Sequence, residues 1–465
     1  MPPAAVRSAA AGGCACSGRR GTDPGEAAHE QTPGTAEAKI KALYDCVMDT
    51  DGREKAGVAP IQKYLDAIEN AATLNELVAA DVTMQQELGL STLLGFGLTA
   101  DLADPSRKTT AFSLIGAGMG KDFCANGTDA QKAAYSAYLT TLLTLSGLSG
   151  DEAARRAALA YVDEYFSAAA KADVEEMIGE FIAIYKERIL AQDWMSAETK
   201  AKAIRKLDTM GIKVGYPDSW DTYLDRVEIQ SPEQGGSFFS NVIAIQKAET
   251  LAHQNDAPDK REWIMTPYTV NACYDPTAND ITFPAAILQA PLYDVNASRE
   301  EDLGGIGYII AHEITHAFDN NGAKFDENGS AADWWTSEDY AAFQQRCQAV
   351  AQWYDGQEAY PGIACSGVLT VSENVADLGS ARCIVAAAKK LADPDFDKLF
   401  RAVANTWAST TTRQMREYLA VTDVHAPDKL RCNRVLQTLP EFYETYGIQP
   451  GDGMWTDPAS RVSVW

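Results

Sequence analysis

Apolar residues recur at three- and four-residue spacing through most of this chain, the signature of helices that bury one face. Over 37–102, Ile40, Leu43, Tyr44 and Val47 fall on one such face, and Ile61, Leu65 and Ile68 on another. The triplet Asp104-Pro105-Ser106 ends that helical tract. An Ala/Leu-rich helical pattern returns over 130–160, with a Ser/Gly interruption at 146–150. Val174, Met177, Ile178, Phe181, Ile182, Tyr185 and Ile189 predict a strongly amphipathic helix of about four turns. Ser196 offers an N-cap for a helix running to about Asp208. The period changes after 210. Lys213–Tyr216, Tyr268–Tyr274 and Ile281–Phe283 read as strands, and the turn-forming residues Asp275–Asp280 join the last two into a hairpin. Helical patterning resumes at 300–318, 337–352, 371–392 and 396–408, and the C-terminal 40 residues read as irregular. The expected fold class is therefore mainly α with a small β-sheet, an α+β arrangement without internal repeats.

Composition narrows the function. The 465 residues correspond to roughly three domains or two large lobes, at about 150 residues per domain. Forty basic and 65 acidic residues leave a net charge of −25, which repels phosphate backbones and argues against nucleic acid as a partner. No apolar run approaches the roughly 18 residues of a membrane-spanning helix, so no transmembrane segment is expected. The nine cysteines form no CxxC pair and are odd in number. That disfavours both a cysteine zinc ribbon and a disulfide scaffold, and leaves buried free thiols as the expectation. Residues 1–36 are small, polar and aperiodic and read as a disordered tail. Ala9–Cys14 faintly resembles the residues before a lipidated cysteine, but no Leu/Val-rich stretch precedes it, so there is no convincing signal peptide.

Histidine carries the chemistry. There are five, and His312 and His316 lie four apart in His312-Glu313-Ile314-Thr315-His316. On a helix these two imidazoles share a face and can reach one metal ion, while Glu313 sits about 100° away, able to reach a water on the metal without being a ligand. Ile306, Ile309, Ile310 and Ala317 give the segment an apolar face, and Ser298–Glu301 form a possible capping box upstream, although Gly304, Gly305 and Gly307 weaken the early part. A match of five residues also occurs by chance on surface helices. A catalytic zinc needs a third protein ligand and an open position. Glu338, Glu358 and Glu373 are the downstream candidates. Glu373 and Asp377 share a helical face, so Glu373 can ligate while Asp377 orients a histidine. Thr370–Glu373 equally fits a capping box, and spacing alone does not decide between the two.

These residues also carry a family resemblance. HEITHAFD at 312–319 with ENVAD at 373–377 resembles the neprilysin and endothelin-converting-enzyme family of zinc metallopeptidases, in particular its bacterial oligopeptidase-like members. VNACY at 270–274, NDITFPAAILQAP at 279–291, DVHAP at 423–427 followed by Arg431, DWMSAETK at 193–200, GYPD at 215–218, Asp333-Trp334-Trp335 and Val464-Trp465 extend it. The likeness is nearly continuous over 161–465 and looser over 39–123. It implies a zincin-like catalytic metallopeptidase domain at 161–465 and the remnant of a helical lid lobe at 37–160. It also implies a zinc-dependent metalloendopeptidase, a hydrolase with one Zn2+ per chain and peptides as substrates. His312, His316 and Glu373 would hold the zinc, Glu313 would be the general base, and His425 would donate to the oxyanion. Asp319 and Asp377 would orient the two histidines. Asn271 and Ala272 would offer a strand edge to substrate backbone, and Arg431 would bond a substrate carbonyl, against the plainer reading of a surface ion pair. Ile287, Leu292, Ile309 and Trp407 would form the pocket for the residue after the scissile bond, although each alone reads as core. Relatives act outside the cytoplasm or at a membrane surface, so the implied place is extracytoplasmic or the cell envelope.

The sequence departs from the pattern in places. Ala286 stands where the family has glycine. The helical lobe is short, with a family stretch missing near Leu159-Ala160-Tyr161 and no counterpart before position 37 of an arginine that docks a substrate carboxylate. A shortened lid would leave the centre more open to water. The alternative function is therefore a catalytically impaired zinc- or peptide-binding remnant of such a peptidase. An acidic helical interaction protein with fortuitous motifs is a third reading.

Overall fold

A computed structural model describes residues 36–88, 94–114, 168–217, 223–253 and 262–465. The tail expected at 1–36 (save its last residue) and the helix expected at 130–160 lie outside the described residues. The chain is mostly helical with small sheets. Four helices come first, α1 (Ala36–Met48), α2 (Thr50–Ala56), α3 (Gln62–Glu69) and α4 (Leu74–Leu88). The helical expectation then fails over its last residues. Leu94–Ala100 (β1) and Lys108–Leu114 (β2) form an antiparallel hairpin, with Leu94 opposite Leu114 and Ala100 opposite Lys108. The sequence Leu94-Gly95-Phe96-Gly97-Leu98 alternates at period two and spends two glycines, which disfavour helix. Asp104-Pro105-Ser106 is thus the turn of a hairpin: Arg107 N–H donates to the Asp104 carbonyl, and Asp101 N–H to the Arg107 carbonyl at 2.8 Å.

The N-terminal helices do not pack by themselves. Ala42 and Leu43 bury against Val227, Ile229 and Ile245. Tyr64, Met84 and Leu88 bury against Phe239 and Ile243. These partners lie in 223–253, which includes helix α7 (Phe238–His253). Residues 223–253 therefore pack across the boundary that the sequence places at 160.

The large core begins with α5 (Ala168–Ala191), on which Val174, Met177, Ile178, Phe181, Ile184, Tyr185 and Ile189 are buried. Each fully buried side chain of this kind stabilises the fold by about 1.5–3 kcal/mol. Ser196 caps α6 (Ala197–Asp208), accepting from Thr199 N–H at 3.2 Å, as the sequence predicts. Strand β3 (Gly211–Gly215) pairs parallel with β5 (Asp280–Pro284), and β4 (Cys273–Asp275) pairs antiparallel on its other side. The central strand β5 is buried throughout, and β4 is an edge. The expected helix at 300–318 divides into α8 (Arg299–Gly304) and α9 (Ile306–His316). The chain bends at Gly305, where only glycine fits, since a Cβ there would lie 2.1 Å from the Leu292 carbonyl oxygen. The capping box forms upstream, with Ser298 N–H donating to Glu301 at 3.0 Å.

After α10 (Ser337–Tyr354) and the small hairpin β6 (Glu358–Tyr360) and β7 (Ile363–Ala364) come α11 (Val371–Ala388) and α12 (Phe396–Thr406). The last 40 residues are irregular only in part. After α13 (Arg413–Thr422) come α14 (Asp428–Leu436) and α15 (Pro440–Tyr446), which bury Leu430, Val435, Leu436, Phe442 and Tyr443, whereas 447–465 hold no α-helix or strand. At seven to ten residues each, these helices make two to three turns, too few for the apolar period to repeat legibly. Among the described cysteines none pairs, and all but Cys273 are buried. No described helix is long and apolar enough to cross a membrane.

Helices α9 and α11 pack closely, and this contact positions the site. A Cβ on Gly379 would lie 2.6 Å from the Thr315 side chain, so only glycine allows the approach. Three buried hydroxyls tie the elements together here. Tyr185 donates to the Ala311 carbonyl at 3.0 Å, Ser380 to the Tyr308 carbonyl at 2.6 Å, and Tyr308 to the Asp377 carbonyl at 3.2 Å.

Candidate metal centre and its cleft

One turn of α9 separates His312 from His316, and their Nε2 atoms come within 3.0 Å of each other. Glu373, in the first turn of α11, brings Oε2 to 3.1 Å from His312 Nε2 and 3.5 Å from His316 Nε2. The capping-box alternative for Glu373 is not realised: Thr370 makes no side-chain cap bond, and the carboxylate faces the imidazoles instead. Each ring's other nitrogen is already committed. His312 Nδ1 lies 2.8 Å from Asp377 Oδ1, and His316 Nδ1 lies 2.6 Å from Asp319 Oδ2. Carboxylates accept, so both Nδ1 atoms donate, and in the neutral rings both Nε2 atoms then present lone pairs. Glu373 Oε2 is likewise buried, facing the Nε2 atoms of His312 and His316. Three lone-pair atoms converging this closely repel unless a cation lies between them. Donors 2.0–2.1 Å from a tetrahedral ion are about 3.3–3.4 Å apart, so this donor set fits zinc. Glu313 is buried beside it, its ligand-type oxygen within 4.8 Å of those of both histidines.

The two supporting aspartates are held differently. Asp377 is fully buried on α11 and accepts two bonds of 2.8 Å from Arg431 on α14. Arg431 is itself buried and stacks on Trp407, its guanidinium carbon 3.7 Å from the ring centre. It is thus a buried ion pair, not the surface pair that is its plainer sequence reading. Burial raises the Asp377 carboxyl, but Arg431 and His312 outweigh it and bring the group down to about 2. Burial also opposes the charge on Arg431, and Asp377 restores it and holds the guanidinium above its usual value. Asp319 sits in the turn after α9. Its Oδ1 accepts from Asn321 N–H at 2.6 Å and Gly322 N–H at 2.7 Å, and its Oδ2 accepts from Ser372 at 2.5 Å.

The centre lies in a cleft of about 520 Å³, within the usual range for a small-ligand site. Asn271 and Ala272, leading into the edge strand β4, line one side, and Ile287, Leu292, Ile309 and Trp407 line it as well. His425 enters on the loop after α13, with Nδ1 2.7 Å from Asp423 and Nε2 3.2 Å from Glu373. Burial pulls its pKa down, but these two carboxylates outweigh it and raise it to about 9. Burial opposes the charge on Glu373 too, and the three imidazoles hold it far below the usual carboxylate range. Cys273 also faces the cleft, pushed up to about 12 by burial and by Glu313, so its thiol stays protonated. Every residue that the family resemblance implies for the site is thus brought to one cleft or its immediate support, while the other candidate third ligands, Glu338 on α10 and Glu358 on β6, are exposed and do not line it. Sequence reading missed Ser372, Cys273 and Lys206. For Lys206 a signal exists, because it falls with Thr199, Ala203 and Leu207 on the buried face of α6.

Fold and centre together define a class. In a mainly helical chain, two packed helices bring an HExxH pair and a downstream carboxylate to the floor of a cleft, as in zinc hydrolases. The chain belongs to peptidase family M13. One profile of that family matches residues 271–462, and a second matches 23–160 and 157–217. The two pieces of the second match meet where the sequence reading expects a family stretch to be missing. The neutral endopeptidase of Lactococcus lactis is 40% identical over 310 residues, covering 66% of this chain and 49% of the relative. Neprilysin-1 of Caenorhabditis elegans is 34% identical over 331 residues, covering 66% of this chain and 43% of the relative. The chain thus spans about half the length of the curated relatives it matches. In fold it is similar to PepO of Lactobacillus rhamnosis, with TM-score 0.81, 24% identity, and coverage of 94% of this chain and 91% of that one. The Mycobacterium tuberculosis zinc metalloprotease Zmp1, solved with an inhibitor, gives TM-score 0.80, 23% identity, and coverage of 95% and 90%.

Proposed function

We propose that this chain is a zinc-dependent metalloendopeptidase that hydrolyses peptides in the cleft, with one zinc per chain held by His312, His316 and Glu373. The observation that carries the reading is the convergence of three lone-pair atoms at 3.0–3.5 Å, with every remaining ring nitrogen tied to a carboxylate. When bound, zinc supplies a Lewis acid that polarises the scissile carbonyl and makes the attacking water more acidic. Glu313 takes the proton of that water and later delivers it to the leaving amine. His425 donates a hydrogen bond to the carbonyl oxygen as negative charge develops on it, with Asp423 on its far nitrogen favouring the protonated ring. Asn271 and Ala272 pair with substrate backbone as an added strand along the β4 edge. Arg431 serves as an anchor for Asp377, and the flank of its guanidinium that faces the cleft is the part open to a substrate carbonyl. Ile287, Leu292, Ile309 and Trp407 receive the side chain that follows the scissile bond. The catalytic domain is 161–465, and its segment 223–253 packs against the helical residues 37–88.

A catalytically impaired remnant would keep the same zinc ligands, so zinc binding alone does not separate it from an enzyme. Glu313→Gln does. It is expected to retain zinc by metal analysis and to lose most cleavage of a quenched-fluorescent peptide library that the wild type cleaves. His425→Ala is expected to retain zinc and to lose about 10²–10³-fold in turnover, the usual cost of one oxyanion donor. Zinc-replete wild-type protein that cleaves nothing would establish the remnant reading.

A further inference from the structure

The catalytic roles above leave out a buried lysine. Lys206 on α6 is 1% exposed, and its ammonium donates to the carbonyls of Ala317 at 2.9 Å, Gly322 at 2.7 Å and Phe325 at 2.7 Å. All three acceptors belong to one segment, the turn that leaves α9 and carries Asp319. Three acceptors call for three donors, and only the charged ammonium has three. The charge also lies at the negative end of the α9 dipole and within 5.7–5.9 Å of the ring centres of Tyr274, Phe318 and Trp334. Burial draws the Lys206 pKa down to about 7, while Asp319, Asp326 and Glu327 favour the charge.

Burying an ammonium is costly, and an apolar residue of the same length would fill the space without that cost. What it would not do is fix the turn. Helix ends leave carbonyls without amide partners, and here the turn aims three of them inward. Gly322 links the two halves of the arrangement, since its N–H donates to Asp319 and its carbonyl accepts from Lys206. A Cβ on Gly322 would lie 1.8 Å from the His316 carbonyl oxygen, so the turn folds directly back onto the end of the helix that carries the imidazole. Lys206 is placed in its turn by Asn279, whose amide donates to the Lys206 carbonyl at 3.0 Å.

We infer that Lys206 is a positioning residue for the metal centre: by pinning the 317–325 turn through three carbonyls, it sets Asp319 against His316 Nδ1 and so aims His316 Nε2 at the metal. The inference rests on the proposal that His316 is a ligand. It is tested with Lys206→Met, which keeps the length and removes the charge. The readouts are zinc affinity by chelator competition, the visible spectrum of the cobalt(II)-loaded protein, and unfolding of the metal-free protein. Zinc affinity is expected to fall about 10–100-fold, the usual cost of losing support behind a ligand, with altered cobalt bands. In an Asp319→Ala background the same substitution is expected to add little, because its effect runs through Asp319. Lowered stability with unchanged zinc affinity and spectrum would overturn the inference and leave Lys206 a staple of the fold. So would a loss that adds in full to that of Asp319→Ala. Should Lys206→Met fail to fold, Lys206→Arg keeps the charge but cannot converge on three carbonyls, and undiminished zinc affinity there would overturn the inference equally. If the wild type itself takes up no zinc, the ligand assignment falls and the inference with it. If the wild type binds zinc and Lys206→Met matches it, the inference alone falls.

Discussion

His312 and His316 face the same point, yet two different parts of the molecule hold them there. Behind His312 stands a charge pair between helices: Asp377 on α11 and Arg431 on α14, both buried and drawn from positions 54 residues apart. Behind His316 stands a local turn, in which Asp319 is held by the amides of Asn321 and Gly322 and by Ser372. The first support depends on tertiary packing and leaves a buried charge if either partner is lost. The second holds its carboxylate mostly through backbone amides, with the Lys206 ammonium bonded to three carbonyls of the same turn. The difference teaches that two ligands with one role can have unequal tolerance to change.

Arg431→Met is the sharpest way to exploit that inequality. It leaves Asp377 buried with only His312 as a partner, and the metal-free protein should lose about 3–5 kcal/mol in urea unfolding, the usual cost of breaking a buried pair. A loss under about 1 kcal/mol would mean that water reaches Asp377 and that the two supports are alike.

Next come Asp377→Asn and Asp319→Asn, compared by chelator competition. Each should weaken zinc about 10–100-fold. Only Asp377→Asn should also destabilise the metal-free protein markedly, because it strands Arg431. Equal losses of stability would erase the distinction. Gly322→Ala should follow, since its Cβ cannot fit against the His316 carbonyl and the turn must move. The expected cost is about 1–3 kcal/mol of stability, with weakened zinc binding. Full zinc affinity in that variant would show that the path of the turn does not govern His316. The smallest effect belongs to Ser372→Ala. It removes one of several bonds to Asp319, at about 0.5–1.5 kcal/mol, and should weaken zinc less than tenfold.

Much of the site was legible in the chain because helical spacing encodes it locally. His312 and His316 share a face for the same reason that Glu373 and Asp377 do, and the long α5 helix and the Ser196 cap follow from period and cap chemistry. Errors fell where local signals were short or ambiguous. The strand at 94–100 was absorbed into a helical tract, and the three helices after 412 were too brief to show a period. Glu373 shows the limit most clearly. Its spacing suits a capping box and a metal ligand equally, and only the approach of α11 to α9 at Gly379 turns it toward the imidazoles.

By itself, then, the sequence determined which residue types stand on which helical face: two imidazoles, a carboxylate beside them, and a carboxylate pair downstream. The tertiary structure alone decided that Arg431 neutralises Asp377, that Lys206 gathers the turn after His316, that β3 runs parallel to β5, and that residues 223–253 pack with the N-terminal helices. The physical reason is that periodicity fixes which side of an element is buried, through bonds within a few residues. What lies against that side is settled by close packing and by the pairing of buried charges between elements far apart in the chain.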